Sequence, residues 1–368
     1  MRRIAISVAA TSMSVMLAGC GVLGATDTSD EASPAKGDDI TVGLLLPEKA
    51  NTRYEQFDYP FFKEKVESLT NEKGKVDYAN AEADADKQAS QMQRMVDDEV
   101  DVIVLDAVDS KAIADSVQKA KDAGIPVIAY DRLAEGPIDA YISFDNGLVG
   151  EVQGRSLLES FGGDVSITDK IVMMNGSSTD PNAKQFKAAA LSELKGKVTI
   201  AKSFDTKDWK PENAEANMTE AINAIGADNI AAVYSANDGM AGGIVKALRA
   251  AGVTDLPPIT GQDAELAAVQ RIVAGEQYMS VYKSYPEEAQ NAAEMAVARV
   301  QGRDIQFDAL TRDRVDSPTQ QDIPAQLVPV VALTKDNIED TVIADEFFQV
   351  SDICTAEFKA ACAAIKLK

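Results

Sequence analysis

Residues 125–146 read IPVIAYDRLAEGPIDAYISFDN, and this stretch decides the fold. A short apolar strand, Pro126 to Tyr130, ends in the charged pair Asp131 and Arg132. A loop follows, then a second strand ending at Asp145 and Asn146. Open α/β sheets bind ligands beyond the carboxyl ends of their strands, where loops converge. Asp131 and Arg132 stand at such an end and offer an acceptor-only carboxylate beside a donor-only guanidinium. A sugar hydroxyl both donates and accepts, so the pair can satisfy it in both senses. A surface salt bridge closing the strand is the alternative reading. The repetition of this chemistry at other strand ends favours the ligand.

Working outward, strand-like and helix-like patterns alternate from residue 39 onward. Apolar runs include ITVGLLL (40–46), DVIVLDAV (101–108), KIVMMN (170–175), IAAVYSA (230–236), PPITG (257–261) and YMSVYK (278–283). Amphipathic stretches of helical length lie between most of them, such as 86–99, 110–123, 184–194 and 239–251. Near-continuous apolar strands separated by helices predict an α/β fold with parallel sheets covered on both faces. The roughly 330 residues beyond residue 39 exceed a comfortable single core, which predicts two domains.

The first 20 residues read as a targeting segment. Arg2 and Arg3 precede an apolar run from Ile4 to Leu17, and Leu17-Ala18-Gly19-Cys20 resembles the bacterial lipobox, in which the cysteine thiol accepts the acyl chains. The run is shorter than the roughly 20 apolar residues of a membrane span. Residues 21–39 mix Gly, Ser, Thr, Ala and Asp without apolar period and read as a flexible tether. The chain is thus expected outside the cytoplasm, lipid-anchored through Cys20. The other two cysteines, Cys354 and Cys362, are close in sequence. In an oxidising compartment that spacing suggests a local disulfide, with two free buried thiols as the alternative.

Charge and composition exclude several functions. Thirty-six basic and 59 acidic residues give a net charge of −23, or −25 once Arg2 and Arg3 are removed. Such acidity argues against nucleic acid and against an anionic membrane surface. The sequence contains no histidine, which removes Ser-His-Asp and Cys-His catalysis and the usual zinc ligands. No phosphate-binding GxxxxGK[ST] occurs, and the glycines of Asp238-Gly239-Met240-Ala241-Gly242-Gly243 lack dinucleotide spacing. Glu82, Asp84 and Asp86 alternate as in a calcium loop, yet without its turn glycine and distal glutamate, and read as a solvated loop before a helix. No cofactor and no metal is expected. An enzyme working through carboxylates alone is disfavoured.

The strand-end residues make a coherent set. Pro47 follows ITVGLLL, with Arg53 and Tyr54 opening a helix. Asp180-Pro181-Asn182 follows KIVMMN, where Asp180 also suits a helix N-cap with Pro181 at the first helical position. Trp209, the one tryptophan, lies among Thr206, Lys207, Asp208 and Lys210. With no apolar helical face to join, it favours stacking on a ligand over a place in the core. Asn237 follows IAAVYSA, Gln262 and Asp263 follow PPIT, and YMSVY ends at Lys283. Singly, each suits a turn or a solvated surface. Together they form a ring of donors and acceptors with an aromatic plate, the combination a carbohydrate needs.

At these residues the chain resembles the solute-binding proteins of bacterial ABC sugar importers, and most strongly their D-xylose-binding members. The segments carrying the resemblance are VIAYDRL, YISFDN, GSSTDPNAK, DWKPENA, SANDGMAGG, TGQDAELA, RIVAGEQYMSVYK and DNIEDTVI, within roughly residues 40–343. The resemblance implies a monosaccharide site formed by Arg53, Asp131, Arg132, Asp180, Asn182, Trp209, Asn237, Asp263 and Lys283. LLPEKANTRYEQF, with Tyr54 where a tryptophan is usual, is equally similar to the multi-sugar binders for glucose, galactose and arabinose. It also implies two similar doubly wound lobes, 40–146 with 284–320 and 147–283 with 321–345, joined by hinge crossings near Asn146, Lys283 and residues 318–327. Residues 346–368 extend beyond the match and read as a disulfide-pinned tail outside the site. The expected partners are an ABC permease with its ATPase, the expected state a monomer. A carboxylate-dependent sugar enzyme and a sensor subunit for a membrane kinase are the rival readings.

Overall fold

The computed structural model describes residues 35–367; the leader, Cys20 and the first part of the tether lie outside the described residues. Residues 36–39, expected to be tether, are docked. The Lys36 amide donates to the Val300 carbonyl (3.1 Å) and Gln301 Nε2 to the Gly37 carbonyl (3.1 Å).

Strands β1 (Thr41–Leu46), β2 (Lys75–Asn80), β3 (Val102–Leu105), β4 (Val127–Tyr130) and β5 (Ala140–Phe144) alternate with helices α1 (Tyr59–Leu69), α2 (Ala85–Asp97) and α3 (Ala114–Asp122). These strands form a parallel sheet in the order β5-β4-β3-β1-β2. Successive side chains on a strand point to opposite faces. Val42, Leu44, Val102, Val104 and Ile128 therefore join one core with Phe62, Val66 and Ala293. Leu45, Ile103, Leu105, Val127 and Ala129 join another with Met92, Met95 and Val117. Covering on both faces is why these strands are apolar at nearly every position. Asp84, from the calcium-like run, accepts from the Lys87 amide (2.9 Å) and caps α2.

The second half opens with α4 (Asn146–Glu159), followed by β6 (Lys170–Asn175), α5 (Pro181–Leu194), β7 (Thr199–Asp205), α6 (Pro211–Ile225), β8 (Ala232–Ser235) and α7 (Asp238–Ala250). Strands β7-β6-β8 form a parallel sheet. The segment expected as strand 257–261 is reduced to a single parallel bridge between Val233 and Ile259, because Pro257 and Pro258 have no N–H to give a ladder. After α8 (Leu266–Ala274) and β9 (Ser280–Lys283), the chain returns to the first half as α9 (Tyr285–Val300), which packs on α1.

Helix α10 (Asp304–Leu310) and strands β10 (Asp313–Val315), β11 (Ile323–Val328) and β12 (Val330–Leu333) complete the sheets. Strand β11 pairs in parallel with β5 and antiparallel with β10, so it belongs to the first sheet. From the resemblance, residues 321–345 are expected in the second lobe. Ile323 and Ala325 instead complete the core under β4 and β5. From Val330 onward the chain is on the second half, with β12 antiparallel to β9 and Asp345 accepting from the Tyr282 hydroxyl. The third crossing is thus the single residue Pro329, later than expected.

The tail forms two short helices, α11 (Val350–Ile353) and α12 (Lys359–Ala364), both packed on α8. Cys354 and Cys362 are disulfide-bonded, with Cα atoms 5.9 Å apart. Ile353, Cys362 and Leu367 bury into a cluster that also holds Phe144, Val328 and Tyr285, one residue from each crossing between the halves. The tail is therefore packed where the chain passes between the two sheets.

Candidate functional site

The carboxyl ends of β1, β4, β6, β7, β8 and β9 face one another across the gap between the halves. The loops leaving them enclose a small cavity between the halves. All nine residues expected there line it: Arg53, Asp131, Arg132, Asp180, Asn182, Trp209, Asn237, Asp263 and Lys283. Glu48, Asn51, Tyr54, Phe186 and Gln262 line it as well.

Arg53 opens the π-helical turn Tyr54–Asp58 and is almost wholly buried. Its Nε donates to Asp58 Oδ2 (3.0 Å), Nη1 to Asp131 Oδ2 (2.6 Å), and Nη2 to Asp58 Oδ1 and Glu288 Oε2 (both 2.5 Å). Four of five guanidinium N–H groups are thereby fixed, leaving one on Nη1 for the cavity. The Tyr285 ring lies beneath the guanidinium at 3.9 Å, in cation–π range. Burial pushes the Glu288 carboxyl well up, and Arg53 only partly offsets it.

Asp131 follows β4 with φ of 55°, an uncommon conformation for a residue with a side chain, and one that clusters at functional sites. Trp209 (φ 58°) and Asp263 (φ 99°) share this trait. Burial opposes the Asp131 charge, but Arg53, Lys283 and Arg132 together hold its carboxyl below the ordinary range. Each Asp131 oxygen has one protein donor, Arg53 on Oδ2 and Asn182 Nδ2 (2.9 Å) on Oδ1. A carboxylate oxygen accepts two bonds, so both keep capacity for a hydroxyl.

Several polar contacts join the halves around the cavity. Asn182 Nδ2 reaches Asp131, Arg132 Nε pairs with Asp180 Oδ2 (3.1 Å), and Asn51 Nδ2 donates to Asp263 Oδ2 (3.1 Å). Asp180 also accepts from the Asn182 amide (2.8 Å) as the cap of α5, and from Trp209 Nε1 (3.1 Å). Cap and site are alternatives in the sequence; here the one carboxylate caps α5 and also lines the cavity. Burial raises the Asp180 carboxyl despite Arg132. Asn237 is similarly double, its Oδ1 capping α7 through the Met240 amide (3.0 Å) while the side chain borders the cavity. Lys283 Nζ pairs with Asp263 Oδ1 (3.0 Å), which also accepts from the Tyr285 hydroxyl (2.7 Å).

Trp209 is only 7% exposed and joins the second-half core while lining the cavity. The sequence sets core against ligand face; the indole is a core residue that also borders the cavity. Its six-membered ring lies against Gly176, where a Cβ would stand 2.0 Å from a ring carbon. Phe186 of α5 meets the indole edge-on at 6.4 Å. Glu48 lies just past β1, and burial raises its carboxyl. Under the site, Asp106 is buried with both oxygens lacking hydrogen-bond partners, 3.6 Å from Arg132 Nε. The cavity thus presents carboxylates, amides and cations beside three aromatic side chains, Tyr54, Phe186 and Trp209. That arrangement suits a small polyhydroxylated ring, with hydroxyls on the charged rim and C–H faces on the aromatics.

Comparison with known proteins agrees with this chemistry. Residues 42–304 match the periplasmic binding protein domain family. The D-xylose-binding periplasmic protein of Escherichia coli K12 is 35% identical over 325 residues, 87% of this chain and 94% of that protein. The multiple sugar-binding periplasmic receptor ChvE of Rhizobium radiobacter is 31% identical, across 85% of this chain and 92% of the receptor. Among solved structures, an ABC transporter solute-binding protein from Clostridium phytofermentans with bound β-D-glucose superposes with a TM-score of 0.78 at 26% identity. That alignment covers 85% of this chain and 99% of the other. Such proteins bind solutes and are not enzymes. The chain belongs to the periplasmic binding protein family and is a sugar-binding protein of the ABC-transporter type.

Proposed function

We propose that the chain binds D-xylose between two lobes that close on it, and presents the closed form to an ABC permease and its ATPase. The observation that carries this reading is the convergence of all nine residues on one cavity. Arg53, Asp131 and Arg132 come from the first lobe; Asp180, Asn182, Trp209, Asn237, Asp263 and Lys283 come from the second. A sugar touching both sets favours closure, because only the closed form makes both sets of contacts. The 35% identity to a D-xylose-binding protein supports the pentose. A pentopyranose lacks the hydroxymethyl group of glucose, so a pocket fitted to it rejects glucose by crowding and by groups left unpaired.

A multi-sugar specificity is the second reading. It draws on Tyr54 in the cavity wall and on the 31% identity to a multiple sugar-binding receptor. Calorimetric titration of the protein lacking residues 1–20 with D-xylose, D-glucose, D-galactose and L-arabinose separates the two. D-xylose is expected to bind tightest, at a micromolar dissociation constant or below, about −8 kcal/mol. It is also expected to change the emission of Trp209, the one indole. Tighter binding of glucose or galactose would assign the protein to the multi-sugar group.

In the cell, the mature chain is a lipid-anchored monomer held outside the membrane through Cys20. Cys20→Ser is expected to abolish palmitate labelling; retained labelling would remove the anchor from this account.

A further inference from the structure

The tail is attached to the second half, yet it touches the turn that carries Arg53. Gln270 Nε2 of α8 donates to the Asp352 carbonyl (2.8 Å), and the Tyr282 hydroxyl donates to Asp345 Oδ2 (2.7 Å). The disulfide between Cys354 and Cys362 holds the segment to itself. From this base Phe347 stacks face to face on Phe57, with centroids 4.1 Å apart and planes 3° from parallel. Phe57 belongs to the first half, within the turn Tyr54–Asp58 that Arg53 opens. Phe347 also packs on Tyr285 (5.7 Å), the ring beneath the Arg53 guanidinium, whose hydroxyl donates to Asp263. A ring from one half thus lies flat on a ring from the other, one turn from a cavity residue.

We propose that the tail is a clasp across the hinge, in which Phe347 is a positioning residue that favours the closed arrangement and holds the turn 54–58 so that Arg53 faces the cavity. This rests on the reading of the cavity as a closing sugar site. Rotation of one half against the other tilts two parallel rings and opens their contact, so the stacking favours the form in which it is made. When the binding-competent form is a minor species, apparent affinity scales with its population. Loss of one well-stacked aromatic pair then weakens sugar binding about five- to tenfold. No contact with the sugar is involved.

Phe347→Ala, made in the mature chain, is expected to raise the dissociation constant for D-xylose about five- to tenfold and to increase the radius of gyration of the unliganded protein in X-ray scattering. Phe347→Tyr, which keeps the ring, is expected to restore both. Reducing the disulfide is expected to weaken binding about threefold in the wild type and to add nothing in Phe347→Ala. A merely structural tail would lower the melting temperature and leave affinity and scattering unchanged, which overturns the clasp. Should Phe347→Ala fail to fold, Phe57→Ala removes the other ring and gives the same readouts. The scattering comparison needs no ligand. A wild type that binds none of the sugars sinks the sugar reading, whereas an unchanged radius of gyration sinks the clasp.

Discussion

Arg53→Met is expected to lower the free energy of unfolding by about 3–5 kcal/mol and to abolish sugar binding. The guanidinium is buried among Asp58, Asp131 and Glu288, and each of these carboxylates accepts a hydrogen bond from it. Methionine fills much of the volume and supplies no donor, so three acids are left together in a site closed to water. Without Arg53, burial pushes the Asp131 and Glu288 carboxyls in the folded variant above the unfolded value of about 4. The sign follows from linkage. Acids with raised folded-state pKa values are tolerated below about pH 4 and destabilise increasingly as pH rises. The deficit of Arg53→Met should therefore be larger at pH 7.5 than at pH 5 in urea unfolding followed by circular dichroism. A variant as stable as wild type at both pH values would show that the cluster is not held by this charge.

Asp131→Ala is expected to act mainly on the ligand, reducing sugar affinity about ten- to hundredfold, equivalent to roughly 1.5–3 kcal/mol. Its two oxygens face the cavity with free acceptor capacity, and a hydroxyl bound there loses its partner. The fold is better protected here than in Arg53→Met, because Arg53 retains Asp58 and Glu288. Calorimetry alongside a melting curve separates the two effects. Wild-type affinity in Asp131→Ala would return the Asp131–Arg132 pair to a strand-closing salt bridge.

The rule that found Asp131 also found the rest of the ring, because in parallel sheets the loops at strand carboxyl ends are brought together by topology alone. Period and apolar content located β1, β4, β6 and β8 without reference to their partners. What sequence left out has physical causes. Glu48 and Asn51 lie in an aperiodic loop, where spacing gives no direction to a side chain. Phe186 stands on the apolar face of α5 and reads as core, and it is core as well as wall. In the sequence Asp180 reads as a cap or a ligand and Asn237 as a turn residue or a ligand; both cap helices and also line the cavity, because an Asx side chain has enough polar atoms for more than one role. Strand β11 escaped notice because Pro324 and Gln326 interrupt its apolar run, while burial of Ile323 and Ala325 holds it in the sheet. The meeting of Phe57 with Phe347 joins positions 290 apart in the chain, and no local pattern reports such a contact.

The third crossing carries a mechanical consequence. Strand β11 ends at Val328 and β12 begins at Val330, so Pro329 alone separates the two sheets at this point. Consecutive Cα atoms are about 3.8 Å apart across a trans peptide, and proline fixes its own φ. The bodies on either side are thus tethered at a nearly constant distance, with little slack for sliding. If the lobes close on a sugar as proposed, their relative freedom is that of a door on a short pin: angular travel at the rim, almost none at the pivot. A sensor built on this scaffold gains its signal from reporters at the far lips of the cleft, and reporters beside residues 328–330 would remain nearly silent.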